Sequence, residues 1–247
     1  MHSPRRHDTD RAGRRPVVES DRAGRRPVAH SSATAHLVVA VKDLDAAKSR
    51  LADRFPASAR TSLVLAMLHD TLDAAAAAVP VSGWSVVTPD SRVARFVHDL
   101  GGHVIPEPPL AGSVDDRLNT ALASADRHVR GTNGVVDVIA LQADLPALRT
   151  DELEEAFTES DPQGRSVVVD HTGTGTAALI VRGTADPLGP QFGEDSARRH
   201  IESGAAPLTG NWPGLRLDVD TAVDVRAAVE LGVGPHTGRL LGELGWL

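Results

Sequence analysis

The chain has no cysteine, which excludes a disulfide framework, a thiolate metal site and a thiol nucleophile together. Tyrosine is also absent, and only four Phe and three Trp occur in 247 residues. With so few stacking surfaces and a formal charge of −7, the chain is a poor candidate for a nucleic-acid binder that stacks bases on aromatic rings. No apolar run approaches the roughly 18 residues of a membrane-spanning helix. The longest candidate, Leu72 to Val81, reads as the alanine-rich end of a helix. Residues 1–35 are polar and arginine-rich, with no apolar signal-peptide segment. The expectation is a soluble, cytoplasmic protein with neither membrane nor nucleic acid as a partner. Lysine is scarce too: of 26 basic residues only Lys42 and Lys48 are lysines, and they lie six positions apart. Lysine is a compact point charge and arginine a planar fork, so lysines kept in an arginine-biased chain point to a job that needs the compact charge. Holding a nucleoside triphosphate is one such job.

What is present falls into two parts. The segment Asp10 to Val17 recurs as Asp21 to Val28, an eight-residue repeat at a period of 11. The repeat carries Gly and Pro and almost no apolar surface, so residues 1–35 are expected to be a disordered, arginine-rich extension. Eight arginines there face four acidic residues, which leaves the remainder more acidic than the whole. At 41% hydrophobic content, residues 36–247 can bury one good core and are read as a single domain.

From His36 onward, strand and helix patterns alternate. His36 to Val41 is a continuous apolar, β-branched run of the kind that a buried parallel strand requires. Further strands are expected at Trp84–Thr88, His103–Pro106, Val135–Gln142, Ser166–Val169, Thr176–Val181 and Leu215–Val219. Helical spacing marks Ser58–Ala78, Ser91–Leu100, Val114–Val129, Asp151–Phe157 and Ala222–Leu231. This alternation predicts an α/β layered sheet with right-handed crossovers, whose ligands gather at the carboxyl ends of the strands.

The residues just after those strands are polar. Lys42, Lys48 and Arg50 follow the first strand and combine three cations near an expected helix start, which suits an anion. Asp144 follows the fourth strand directly, ahead of Leu145-Pro146. Asp218 and Asp220, two apart on the last expected strand, would point to one face. Two such carboxylates facing Asp144 would repel one another unless a divalent cation lay between them, and Mg²⁺ prefers carboxylates plus phosphate oxygens. The run Asp170 to Leu179 offers hydroxyls and open backbone amides, without the Gly-Lys-Ser/Thr element of a phosphate loop. Phe192 to His200 reads as a turn into a helix, with Gly193, Ser196 and the positive charge of Arg198, Arg199 and His200 suited to a small phosphorylated acid. The eleven histidines show no chelating spacing, and no nucleophile–histidine–acid order stands out.

Five segments, Val41–Ala52, Leu141–Leu148, Thr172–Leu179, Phe192–His200 and Trp212–Asp224, together resemble the phosphoenolpyruvate/2-phospho-L-lactate guanylyltransferases of coenzyme F-420 (deazaflavin) biosynthesis. The likeness covers about residues 36–235 and is nearest to the actinobacterial enzymes that use phosphoenolpyruvate. It implies a three-layer, nucleotidyltransferase-like α/β fold of the nucleotide-diphospho-sugar transferase type, with a mixed, mostly parallel sheet flanked by helices. It implies that GTP and phosphoenolpyruvate give enolpyruvyl-diphospho-5'-guanosine and pyrophosphate. Carried over by position, Thr176, Gly193 and Ser196 match the phosphoenolpyruvate-binding residues, and Asp144, Asp218 and Asp220 match the metal aspartates, for Mg²⁺. A homodimer, and a downstream transferase that receives the product, are also what the resemblance implies.

The chemistry fits those residues. A phosphate already charged needs no general base, so the task is to neutralise charge and align the attack on the α-phosphorus of GTP. Lys42, Lys48 and Arg50 would hold the triphosphate beside Asp144. A sugar-1-phosphate nucleotidyltransferase would carry a glycine-rich loop after strand one, and Val41 to Arg50 contains no glycine. A 2-phospho-L-lactate enzyme and a non-catalytic nucleotide-binding module are the other readings, the second opposed by three acidic residues that a pure binder does not need.

Overall fold

A computed structural model describes residues 34–46, 48–107, 114–133 and 137–247. The expected 1–35 extension, apart from its last two residues, and positions 135–136 of the expected fourth strand lie outside them. The chain opens with strand β1 (Ala35–Ala40), helix α1 (Ala57–Ala76), β2 (Val81–Thr88), α2 (Ser91–Asp99), β3 (His103–Pro106) and α3 (Val114–Asn133). It continues with β4 (Asp137–Leu141), α4 (Thr150–Glu159), β5 (Arg165–Val169), β6 (Thr176–Val181) and α5 (Ser196–Glu202). The last elements are β7 (Ala206–Leu208), α6 (Pro213–Arg216), α7 (Ala222–Leu231) and α8 (Pro235–Glu243).

The strands form one seven-stranded sheet in the order β3-β2-β1-β4-β6-β5-β7. β1 pairs in parallel with β2 and β4, and β2 with β3. β6 runs antiparallel to both β4 and β5, so the sheet is mixed and mostly parallel, as expected. The two-residue alternation of a strand sorts its side chains to opposite faces. Leu37 and Val39 of β1, with Ile139 and Leu141 of β4, join the core beneath α1, α2 and α4. Val38, Val138 and Ala140 pack on the other side against Ala121, Leu122 and Ala125 of α3. Three layers result, and the reversed strand brings the start of β6 to the same sheet edge as the end of β4.

One expected strand is absent. Leu215–Val219 is not paired in the sheet; Pro213–Arg216 turns into the short helix α6 instead. Pro213 pre-sets the first helical position. The buried Glu152 of α4 accepts from the backbone N–H groups of Gly214 (3.0 Å) and Leu215 (2.8 Å), taking the donors that a ladder would need. The sheet edge past β5 is filled by β7, a three-residue strand containing Pro207, as edge strands tolerate. The cation-rich stretch after β1 forms two 3-10 turns, Leu44–Ala46 and Ser49–Leu51, and not the expected α-helix start.

Candidate active site

The turn that carries Asp144 is set from below. Thr71 of α1, fully buried, accepts from the Leu145 N–H at 3.0 Å and donates to the Met67 carbonyl at 2.8 Å. The Asp144 carbonyl accepts from the Val219 N–H at 3.1 Å, which lays the segment after α6 alongside the end of β4. Asp220 is then fixed at the start of α7, because Asp224 accepts from the N–H groups of Asp220 and Thr221 in a capping box. Asp218 and Asp220 therefore reach Asp144 from an unpaired segment rather than from one face of a strand.

The Lys48 ammonium sits between these carboxylates. It hydrogen-bonds Asp144 Oδ2 and, at 2.7 Å, Asp220 Oδ1. Burial works against its charge, but Asp144 and Asp220 outweigh burial and raise its pKa above the ordinary lysine value. Burial would also lift Asp220, yet Lys48, with Arg50 and Lys42 behind it, holds that carboxyl below the usual range. Arg50 is largely exposed and comes within 3.6 Å of Asp220 Oδ2, and Lys42 is exposed. Lys48 adopts a left-handed backbone (φ 53, ψ 41), a conformation that costs a non-glycine residue roughly 1–2 kcal/mol. Among the described residues the other non-glycine of this kind is Asp195, just ahead of Ser196. Strain of this sort collects at binding sites.

Asp218 has no cation of its own. Burial pushes its pKa up to about 6, with repulsion from Asp144, Asp220 and Asp170 adding to it. His171 Nδ1 lies 3.4 Å from Asp218 Oδ1 without hydrogen-bonding geometry, and its Nε2 lies 3.6 Å from Asp224. Asp218 Oδ1 and Asp144 Oδ1 are both buried with no hydrogen-bond partner. Orphaned carboxylate oxygens are the donor type that a hard divalent cation takes.

Thr176, Gly193 and Ser196 form an adjoining group. Thr176 opens β6 beside the end of β4, where Gln142 Nε2 donates to the Thr176 carbonyl at 3.2 Å. The Thr172–Gly175 turn is shaped by Asp170, which accepts from Thr172 and from the Gly173 N–H. A Cβ at Gly175 would lie 2.2 Å from Asp170 Oδ2, so any other residue there would displace the carboxylate that shapes the turn. The start of α5 hangs on this turn through Ala197 N–H to the Thr174 carbonyl, 3.0 Å. Gly193 has φ 117, which favours glycine, and accepts from the Ser196 N–H.

His200 is not the cation that the sequence suggests. It is fully buried on α5, and its Nε2 accepts from the Gln191 N–H at 2.8 Å. The proton is therefore on Nδ1, which donates to Thr176 Oγ1 at 2.9 Å and leaves that hydroxyl to donate elsewhere. Burial, with Arg165 and Arg199 nearby, lowers its pKa to about 4, so the ring is neutral at physiological pH. Asp90 caps α2, and it also accepts from the Leu44 N–H at 3.0 Å and binds Arg92, tying the cationic loop to the end of β2. Neither the His200–Thr176 nor the Asp90–Leu44 contact carries a local sequence signal, since folding alone brings those partners together.

Comparison with known proteins gives the context. A family described as "Guanylyl transferase CofC like" matches residues 35–209. A phosphoenolpyruvate guanylyltransferase of Nocardia farcinica is 55% identical over 211 residues, covering 85% of this chain and 92% of that protein. A Desulfovibrio desulfuricans structure described as a nucleotide-diphospho-sugar transferase superposes with a TM-score of 0.60 at 14% identity, over 85% of this chain and 96% of the other. A Mycobacterium tuberculosis protein solved with manganese gives 0.51 at 18% identity, over 81% and 100%. The two structural likenesses establish the fold. No helix among the described residues is long and apolar enough to cross a membrane.

Proposed function

The chain belongs to the CofC-like guanylyl transferase family, and from that premise we propose that it joins GTP to phosphoenolpyruvate in coenzyme F-420 biosynthesis, giving enolpyruvyl-diphospho-5'-guanosine and pyrophosphate. The observation that carries this reading is the 55% identity, over nearly the whole length, to a relative named for that activity. The partly buried cluster of Lys48 with Asp144, Asp218 and Asp220 supports it.

A phosphate oxygen of phosphoenolpyruvate forms the new bond to the α-phosphorus, and the bond to the β-phosphate oxygen breaks to release pyrophosphate. Asp144, Asp218 and Asp220 would hold Mg²⁺, which supplies positive charge to the α-phosphate and the incoming phosphate when bound. Lys48 has to leave the carboxylates when that ion enters, and a four-carbon stem lets its ammonium follow the negative charge onto the triphosphate. Lys42 and Arg50, exposed beside Asp220, are placed to meet the β- and γ-phosphates. Thr176, Gly193 and Ser196 bind phosphoenolpyruvate: the Thr176 hydroxyl, accepting from His200, directs its own proton to the substrate, and the Gly193 bend opens the backbone. The reaction belongs to the domain of residues 36–247, with 1–35 as an extension. A homodimer working in the cytoplasm and passing its product to a downstream transferase completes the reading.

The test is pyrophosphate release from the purified chain with GTP and Mg²⁺, a product-trapping transferase, and phosphoenolpyruvate, 2-phospho-L-lactate or glucose-1-phosphate as acceptor. Release with phosphoenolpyruvate is expected. Release only with 2-phospho-L-lactate moves the chain to the sister activity, and release with none despite GTP binding rejects an enzymatic role.

A further inference from the structure

A second set of metal donors converges away from the acidic cluster. His69 and Asp73 lie one turn apart on α1, and His236 is in the first turn of α8. Asp73 Oδ2 is 3.5 Å from His236 Nε2 and 3.8 Å from His69 Nε2. One donor atom from each residue falls within 4.8 Å of the other two. Donors held at about 2.0–2.1 Å around a tetrahedral ion are roughly 3.3 Å apart, so the two Asp73 contacts need only a small contraction.

We propose that His69, Asp73 and His236 bind a zinc-class divalent ion that fastens the C-terminal helix α8 to α1. This site is independent of the proposed guanylyl transfer. Two imidazoles and one carboxylate select a borderline transition ion over Mg²⁺ or Ca²⁺, which prefer oxygen ligands. The rings are already gathered: His69 and His236 stack at 3.5 Å with 17° between planes, and Phe96 meets His69 edge-on at 5.4 Å. Two imidazolium cations would not stack in this way, and a metal needs its imidazoles neutral.

The surroundings admit an ion. The Asp73 side chain is 58% exposed and the two histidines are 20% and 26% exposed, so entry is open on the carboxylate side. Asp70, buried beneath, spends its oxygens on the N–H groups of His236 and Thr237 and adds negative charge, while Arg239 opposes it. Binding tilts the rings out of parallel, because each Nε2 lone pair lies in its own ring plane and has to aim at the ion. Solvent completes the coordination. The clasp would reinforce a helix held otherwise by the Asp70 cap, by Leu241 in the core and, just beyond it, by the Phe55–Trp246 stack at 4.7 Å.

The experiment is calorimetric Zn²⁺ titration of the full chain in excess Mg²⁺, alongside His236→Gln, Asp73→Asn and the exposed control His98→Gln. Ions on other histidines or on the acidic cluster cancel in the comparison. The expected result is one Zn²⁺ equivalent lost, or weakened by more than the roughly 10- to 100-fold that outer partners alone cost, in the first two variants but not the control. Zn²⁺ should also raise Tm in the wild type and in His98→Gln, with no rise in His236→Gln. Each variant's Tm without metal checks its folding. Equal stoichiometry and an equal Tm response in all four proteins would overturn the site.

Discussion

The Lys48 ammonium lies between two carboxylates that the divalent ion of the proposed reaction also requires. On that proposal, lysine and metal would compete in the free protein, and the lysine would reach the triphosphate only after the exchange. Lys48→Met should bind Mn²⁺ about tenfold more tightly without nucleotide, since a charge-assisted hydrogen bond is worth about 1.5–3 kcal/mol. The same variant should lose turnover by about 10²-fold or more, having lost a donor aimed at developing charge. Unchanged Mn²⁺ affinity by electron paramagnetic resonance titration would reject the competition. Asp144→Asn should lower both Mn²⁺ affinity and turnover while leaving Tm nearly unaltered, and an active Mg²⁺-dependent variant would remove Asp144 from the metal set. At this scale the sequence was informative where composition was skewed. Two lysines in an arginine-rich chain and an aspartate directly after an apolar strand both stood out. What it could not show was the pairing, because Lys48 and Asp144 are 96 positions apart and meet only in the fold.

Among the elements, β1, β4 and β6 were legible as short apolar runs because both faces of each are buried. α7 was legible from Asp220-Thr221 and matches its expected span. The expected strand at Leu215–Val219 failed because α6 is decided by Glu152, 62 positions away from Gly214. α8 was missed for a similar reason: it is short, contains Gly238 and Gly242, and is capped by Asp70, 166 positions from His236. Glu152→Ala leaves the buried Gly214 and Leu215 N–H groups without acceptors, which costs about 1–3 kcal/mol for each unsatisfied group. The expected result is a lower denaturant midpoint with an unchanged m value. Because α6 leads into Asp218, Mn²⁺ affinity should fall in parallel; a midpoint unchanged within error would mean that α6 holds without its cap.

For the whole molecule, stability has a predictable acid limb. His200 has its pKa lowered from 6.5 to about 4 by burial, so the unfolded chain binds a proton that the folded chain refuses between those values. Stability from this group is complete above pH 6.5, falls as pH drops toward 4, and changes no further below; the full loss is of order 3 kcal/mol. His200→Gln should flatten that part of the Tm–pH profile, and a profile parallel to wild type would contradict the assignment. The layered α/β architecture was legible from alternation alone, whereas the reversal of β6 was not, since an apolar run carries no direction. That reversal sets Thr176 beside Gln142, at the end of β4. Phosphoenolpyruvate carrying ¹⁸O in its phosphate, turned over with GTP and Mg²⁺ and read by mass spectrometry, tests the transfer itself. The account predicts labelled enolpyruvyl-diphospho-guanosine and unlabelled pyrophosphate; label in the pyrophosphate, or no guanylylated product, would contradict it.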